Sequence, residues 1–289
     1  MKKDVRYLKG ILITFMGVLV LSSDALLIRM SRVAGFRAAF WRGLFTFLSV
    51  SAVFLVTNRK EAFAIMKTQY RRMLFPAFLW GSSGVAFAVG VHNSGASIAL
   101  VMISLGPFFA SLHSYLFYRE KPHPLTLLAA LGAVGGIVYM FGSQLGTLEA
   151  KDFFYNIWSP LLYGTNLSYL RRNPSLNRQG ISMFGGFTAM TLSLFISRFQ
   201  VIIPLKNLLP LLILGAVVIP FAQLSIGHGT RFIPAGESAL ISSLETIIGI
   251  IYVWIFLGEV PSPDTIIGGA VVFSCIVFNT VVQTYRVKR

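Results

Sequence analysis

Between Met73 and Tyr118 lies a run of 46 residues without one Asp, Glu, Lys or Arg. A helix that crosses a bilayer needs about 20 mostly apolar residues, so this run alone holds two, parted at the polar turn His92-Asn93-Ser94-Gly95. Cutting the whole chain at charges and turn residues gives ten candidate spans. The first five are Leu8–Ile28, Gly35–Thr57, Met73–His92, Ala96–Tyr118 and Leu125–Phe141; the second five are Phe153–Leu170, Gly180–Ile196, Asn207–Ile226, Ser238–Leu257 and Thr265–Gln283. The loops between them are too short for a separate soluble domain. The expected fold is therefore an all-α integral membrane protein of ten transmembrane helices. Charged residues make up 12% of the chain, about half the roughly 25% that gives a soluble domain its polar shell. The single cysteine, Cys275, excludes an intrachain disulfide and a cysteine-cluster metal site. Met1-Lys2-Lys3 before an apolar stretch resembles a signal peptide, but no small-residue cleavage site follows and Asp24 interrupts the end. The first helix is expected to be retained.

The net charge of +15 on a soluble chain would suggest nucleic acid. Its distribution points elsewhere. With the N-terminus inside, eighteen of the 25 basic residues fall on inner segments and six on outer ones, while Arg42 lies within a helix. By the positive-inside rule, both termini are cytoplasmic and the charge marks topology. A nucleic-acid partner is not expected.

Shifting the chain by 139 residues aligns Glu120-Lys121-Pro122-His123-Pro124-Leu125-Thr126 with Glu259-Val260-Pro261-Ser262-Pro263-Asp264-Thr265, both reading E-x-P-x-P-x-T. Ala96, Leu105 and Phe117 match Ala235, Leu244 and Phe256 in the same register. Two halves, 1–144 and 145–289, with five helices each, must enter the membrane in opposite senses. Inverted repeats of this kind build secondary transporters, with the substrate near the midplane between them.

These residues resemble the drug/metabolite transporter superfamily, EamA type. The Glu-x-Pro loops carry the similarity, as do Phe40-Trp41-Arg42-Gly43, Trp80-Gly81, and Lys151-Asp152-Phe153 followed by Tyr169-Leu170-Arg171-Arg172. Pro234-Ala235-Gly236-Glu237-Ser238-Ala239-Leu240 with Glu245 is similar to that family's ninth helix, except that Thr246 stands where proline is usual. The resemblance implies a five-plus-five inverted arrangement, a central cavity and export of small metabolites or amino acids.

Ionisable residues inside a span are costly and point by default to function. Here they are Asp24, Arg42 and Glu245. Asp24 and Arg42 should both lie within about 10 Å of the outer boundary, given a 1.5 Å rise per residue, close enough to pair. Such a pair either fixes the hairpin or anchors substrate. Glu245 is expected between the cytoplasmic entrance and the midplane, where it binds a substrate amine, carries a coupling proton, or is satisfied by neighbouring serines. Its repeat partner Gly106 adjoins Pro107, which should kink the fourth helix. Trp80, Tyr163, Asn166 and Gln223 are further substrate-binding candidates that also suit interhelical hydrogen bonding. Gly132 and Gly136, Gly185-Gly186 and Gly268-Gly269 are expected close-packing surfaces. No histidine pair has ligand spacing, and no phosphate-loop or hydrolase motif occurs; no metal, cofactor or enzymatic activity is expected.

The leading expectation is an inner-membrane exporter working by alternating access, as monomer or homodimer, driven by its substrate gradient or by protons. A lipid or lipid-carrier flippase of the same fold is the alternative, and an integral membrane enzyme the more distant one.

Overall fold

The structure, a computed structural model, describes residues 2–59, 61–119, 124–142, 149–229, 232 and 235–287. The Glu120-Lys121-Pro122-His123 segment, Pro234 and the expected boundary between the halves at 144 lie outside the described residues. Within them the chain is helical, without strands.

Thirteen α-helices and one π-helical turn group into ten rods among the described residues. The first rod is α1 (Lys2–Leu21) with α2 (Asp24–Ser31), followed by α3 (Gly35–Asn58) and α4 (Ala62–Ser94). The fourth joins α5 (Ala96–Ile103) to α6 (Gly106–Tyr118), and α7 (Pro124–Gly142) is the fifth. The second half runs α8 (Ala150–Arg172), α9 (Arg178–Ile196), an eighth rod made of α10 (Leu205–Ile213), the π turn (Leu214–Val218) and α11 (Ile219–Gly229), then α12 (Ala235–Leu257) and α13 (Pro263–Val287). Each rod covers one expected span. Among the described residues, six stretches are long and apolar enough to cross a membrane, and 127–140, 244–257 and 263–279 are shorter apolar helices.

Three rods are interrupted, each for a local reason. Ser22 and Ser23 end α1 with their hydroxyls donating to the carbonyls of Val18 (2.8 Å) and Val20 (2.7 Å), a backbone competition that loosens a helix. The fourth rod breaks at Ser104-Leu105, and Pro107 sits in the first turn of α6, where its missing N–H costs nothing. The π turn lies between Pro210 and Pro220. Pro220 cannot bond back one turn, and a widened turn relieves the clash.

The apolar outside is consistent with lipid as solvent. On α7, Leu127, Leu131, Val134 and Val138 are exposed, while Ala129, Ala133, Ile137 and Met140 are buried against α13. Ala129, Ala133 and Gly136 on the inner face are small, which lets backbones approach. α3 crosses α9 at Gly43 and Gly186: a Cβ on Gly43 would lie 2.8 Å from the Gly186 carbonyl oxygen, and one on Gly186 2.9 Å from that of Gly43. α7 crosses α13 in the same way, with a Cβ on Gly136 meeting the Gly268 oxygen at 2.8 Å. The expected packing role of these glycines holds.

Polar contacts collect at the two ends of the bundle. At one end Arg29 meets Glu259 and Asn93 donates to Asp152 (2.7 Å). At the other, Asn58 donates to Gln179 (2.9 Å) and the Asn177 amide to Gln69 (3.0 Å). Rods one and three end where rod six begins, and rod two ends where rods three and seven begin, so successive rods run in alternating directions.

Leucine at position 136 should lower stability by about 1–3 kcal/mol through overpacking, because backbone rather than a mobile side chain blocks it. Leucine at the adjacent Gly135, where a Cβ meets nothing within 4 Å, should be tolerated. Thermal unfolding of the two variants in detergent separates them; equal melting temperatures would contradict the crossing geometry.

Candidate functional site

The helix break at Ser22-Ser23 puts Asp24 in the first turn of α2, where a carboxylate is favoured by the free amides and the helix dipole. Arg42, eighth residue of α3, reaches across to it, with Nη2 donating to Asp24 Oδ2 at 2.6 Å. Both residues are buried, at 5% and 8% exposure. The guanidinium fits because Gly84 of α4 leaves room: a Cβ there would lie 2.6 Å from Arg42 Nη1. The π turn closes the other side, since Gly215 lets the Arg42 carbonyl approach to 2.7 Å of where its Cβ would be. Ser49 of α3 donates to the Gly215 carbonyl at 3.0 Å, taking up a backbone group of the widened turn. Asp24 Oδ1 and Arg42 Nε are buried without a hydrogen-bond partner, so the pair retains one acceptor and one donor for something else.

Glu245 stands at the middle of α12, eleventh of its 23 residues. The sequence places it nearer the entrance; the helix begins earlier, at Ala235, and moves it toward the centre. Its carboxylate interacts electrostatically with both Asp24 and Arg42, and with the Tyr163 hydroxyl. Glu245 and Tyr163 are both half-buried. Among the described residues Glu245 has no hydrogen bond or ion pair.

The sixth rod brings an aromatic ring within electrostatic reach of Glu245. Tyr163 of α8 packs against Gly106 of the fourth rod, where a Cβ would meet its Cδ1 at 2.7 Å. Thr246, standing where the resemblance leads one to expect proline, donates to the Leu100 carbonyl at 3.3 Å, and α12 runs unbroken through it. The kink thus belongs to the fourth rod and not to the ninth.

Asp24, Arg42, Tyr163 and Glu245 therefore share one neighbourhood. The remaining candidates are arranged around it or away from it. Asn166, one turn beyond Tyr163, is buried with Oδ1 unpartnered. Trp80 packs its ring on Gly185 at the contact of α4 with α9. Gln223 accepts a hydrogen bond from Ser182 and lines a pocket of about 40 Å³ with Val50, Val53, Arg178 and Gln179. That pocket lies two to three turns along α3 from Arg42, at the Asn58 end, and is large enough for little more than a water or two. Gly84, Gly215 and the Ser22-Ser23 break were not among the expected site features; Pro210 and Pro220 flanking the π turn were the available signal for one of them. Among the described residues no group of three or more His, Cys, Asp or Glu gathers as a metal site would need.

Removing one partner of a buried ion pair leaves an uncompensated charge, at about 3–5 kcal/mol. Arg42→Met should lower the unfolding temperature sharply, and Asp24→Leu combined with Arg42→Met should recover most of the loss. Additive losses in the double variant would mean the two residues do not interact.

The sequence profile of the EamA-like transporter family matches residues 8–142 and 158–281. A curated relative is 21% identical over 219 residues, 70% of either chain: the uncharacterized transporter YdfC of Bacillus subtilis (strain 168). A solved crystal structure superposes with a TM-score of 0.65 over 94% of this chain and 96% of that one, at 16% identity, a likeness of fold alone.

Proposed function

This chain belongs to the EamA-like transporter family, and we propose that it is a secondary transporter exporting a small metabolite or amino acid by alternating access. It is a multi-pass membrane protein, and its family points to a transporter rather than an enzyme. In our reading all ten rods cross the inner membrane as two inverted five-helix repeats, 1–144 and 145–289, with both termini cytoplasmic.

The packing supports that arrangement. The third rod packs on the sixth as the eighth packs on the first; the fourth on the sixth as the ninth on the first; the third on the seventh as the eighth on the second. The rods that would meet their own counterparts across a two-fold axis, second with seventh, fifth with tenth and fourth with ninth, do touch. Exchanging each rod with the one five places away preserves these contacts.

The observation that carries the functional reading is the Glu245 carboxyl group, without a partner among the described residues and within electrostatic reach of the Asp24–Arg42 pair. Such an ionisable group is expensive inside a bilayer and is kept where something binds it. Arg42 offers a free donor, Asp24 a free acceptor and Glu245 a carboxyl group; Tyr163 supplies a ring and a hydroxyl. That set suits a small polar molecule bearing a cationic nitrogen and a carboxylate. Glu245 also serves as the site for a coupling proton.

Glu245→Gln should reduce export at least tenfold in proteoliposomes loaded with a panel of amino acids and small metabolites, assayed with and without a pH gradient. Unchanged flux at every pH would remove Glu245 from the mechanism. A wild-type protein that moves no panel member but scrambles labelled lipid would turn the assignment to a flippase.

A further inference from the structure

Only eight residues long, α2 has a special place in this bundle. Its first turn holds Asp24 in the charged cluster, and its last turn holds Arg29. The two are five residues apart, about 7.5 Å along the axis. Arg29 Nε donates to Glu259 Oε1 at 2.9 Å, and Nη2 reaches the same oxygen at 2.5 Å. Glu259 lies in the loop between α12 and α13, so the contact joins the end of the first rod to the end of the ninth, which carries Glu245. Helix α2 is separated from α1 by the Ser22-Ser23 turn and ends in a left-handed Arg32 (φ 52°) whose amide bonds Arg29. It packs on α10 and α12 as well as on α4 and α5. It is thus a short stiff segment with a joint at either end, lying between the halves.

The two ion pairs on α2 differ in strength. Asp24–Arg42 is buried, and breaking it is costly. Arg29–Glu259 is about one-third exposed on either side chain, the kind of pair that contributes little and opens readily. His92, at the end of α4, is also within electrostatic reach of Arg29.

We propose that Arg29–Glu259 is the gate over the cluster at this end of the bundle, and that α2 links it to the site: a change at Asp24 moves the helix and releases Glu259. This rests on the alternating-access reading and adds which contact opens and what moves it.

The test uses the full chain in a Cys275→Ser background, with Glu245→Cys as a thiol reporter at the site and Tyr163→Cys as a second reporter should the first not fold. Val260→Cys, strongly exposed beside Glu259, identifies the face in sealed vesicles. The probe is a membrane-impermeant methanethiosulfonate applied from that face. Glu259→Gln and Arg29→Gln should each raise the labelling rate of the reporter at least fivefold. Asp24→Asn, at the far end of α2, should raise it too. An Arg29→Cys/Glu259→Cys disulfide should suppress labelling until it is reduced. Equal, non-zero rates in all variants would overturn the gate while leaving alternating access intact. A rise with Glu259→Gln but none with Asp24→Asn would overturn the linkage through α2. No labelling from either face in any variant would overturn the gate and the alternating-access reading together.

Discussion

A salt bridge buried in an apolar bundle constrains everything around it. Asp24 and Arg42 cannot be taken out of water separately, and even together they need their remaining hydrogen-bonding atoms met. The neighbouring backbone is shaped to that requirement. α1 ends early so that Asp24 opens a new helix, Gly84 clears space for the guanidinium, and the widened turn at Gly215 brings the eighth rod against the Arg42 backbone. Without the pair, the room that Gly84 leaves beside α3 would have nothing to fill it. Among the described residues Asp24 Oδ1 and Arg42 Nε are still left without partners, and the proposed site is built on those two atoms.

Around this core, cohesion comes from contact rather than from hydrophobic drive, since lipid tails are as apolar as the side chains they would replace. The two glycine crossings, Gly43 with Gly186 and Gly136 with Gly268, set backbones carbonyl to Cα. They tie the second rod to the seventh and the fifth to the tenth, one contact on either side of the central cluster. Interfaces this close resist sliding, so movement falls to elements with fewer or softer contacts. The helix breaks at Ser22-Ser23 in the first rod and at Ser104-Leu105 in the fourth are such places.

Much of this was legible in the chain because bilayer physics writes directly into sequence. Uncharged runs of about twenty residues locate all ten rods, and the charges left inside them, Asp24, Arg42 and Glu245, are the groups the fold gathers. Two kinds of detail were not legible. One is local backbone geometry: serine pairs and spaced prolines occur in many unbroken helices, so Ser22-Ser23 and Pro210 with Pro220 permit the break and the π turn without announcing them. The other is partner choice. Trp80 and Gln223 have the same polar, intramembrane character as Tyr163 and Asn166, yet Trp80 faces a glycine of α9 and Gln223 a serine at one end of the bundle. Depth and face decide this, and a difference of one turn separates a cluster residue from a packing residue. Glu245 shows the same sensitivity: the earlier start of α12 carries it to mid-helix.

The packing of the ten rods is close to two-fold, but the chemistry placed on it is not. Position 245 bears a carboxylate while its repeat counterpart, Gly106, bears nothing and is covered by the Tyr163 ring. Asp24 and Arg42 come from the first two rods; on α8, the first rod of the second half, the buried middle carries Asn156, Ser159 and Asn166 instead. A symmetric scaffold lets two opposite openings have similar energies, which exchange between them demands. An asymmetric site makes occupancy count differently for each opening, because a ligand or proton on Glu245 changes the balance of charge against Asp24 and Arg42 on the first two rods and against nothing equivalent on the sixth and seventh. Binding free energy can shift a conformational equilibrium only through such a difference. In the alternating-access reading proposed above, the departure from symmetry at Glu245 is the feature through which cargo, and not merely thermal motion, would bias which way the bundle opens.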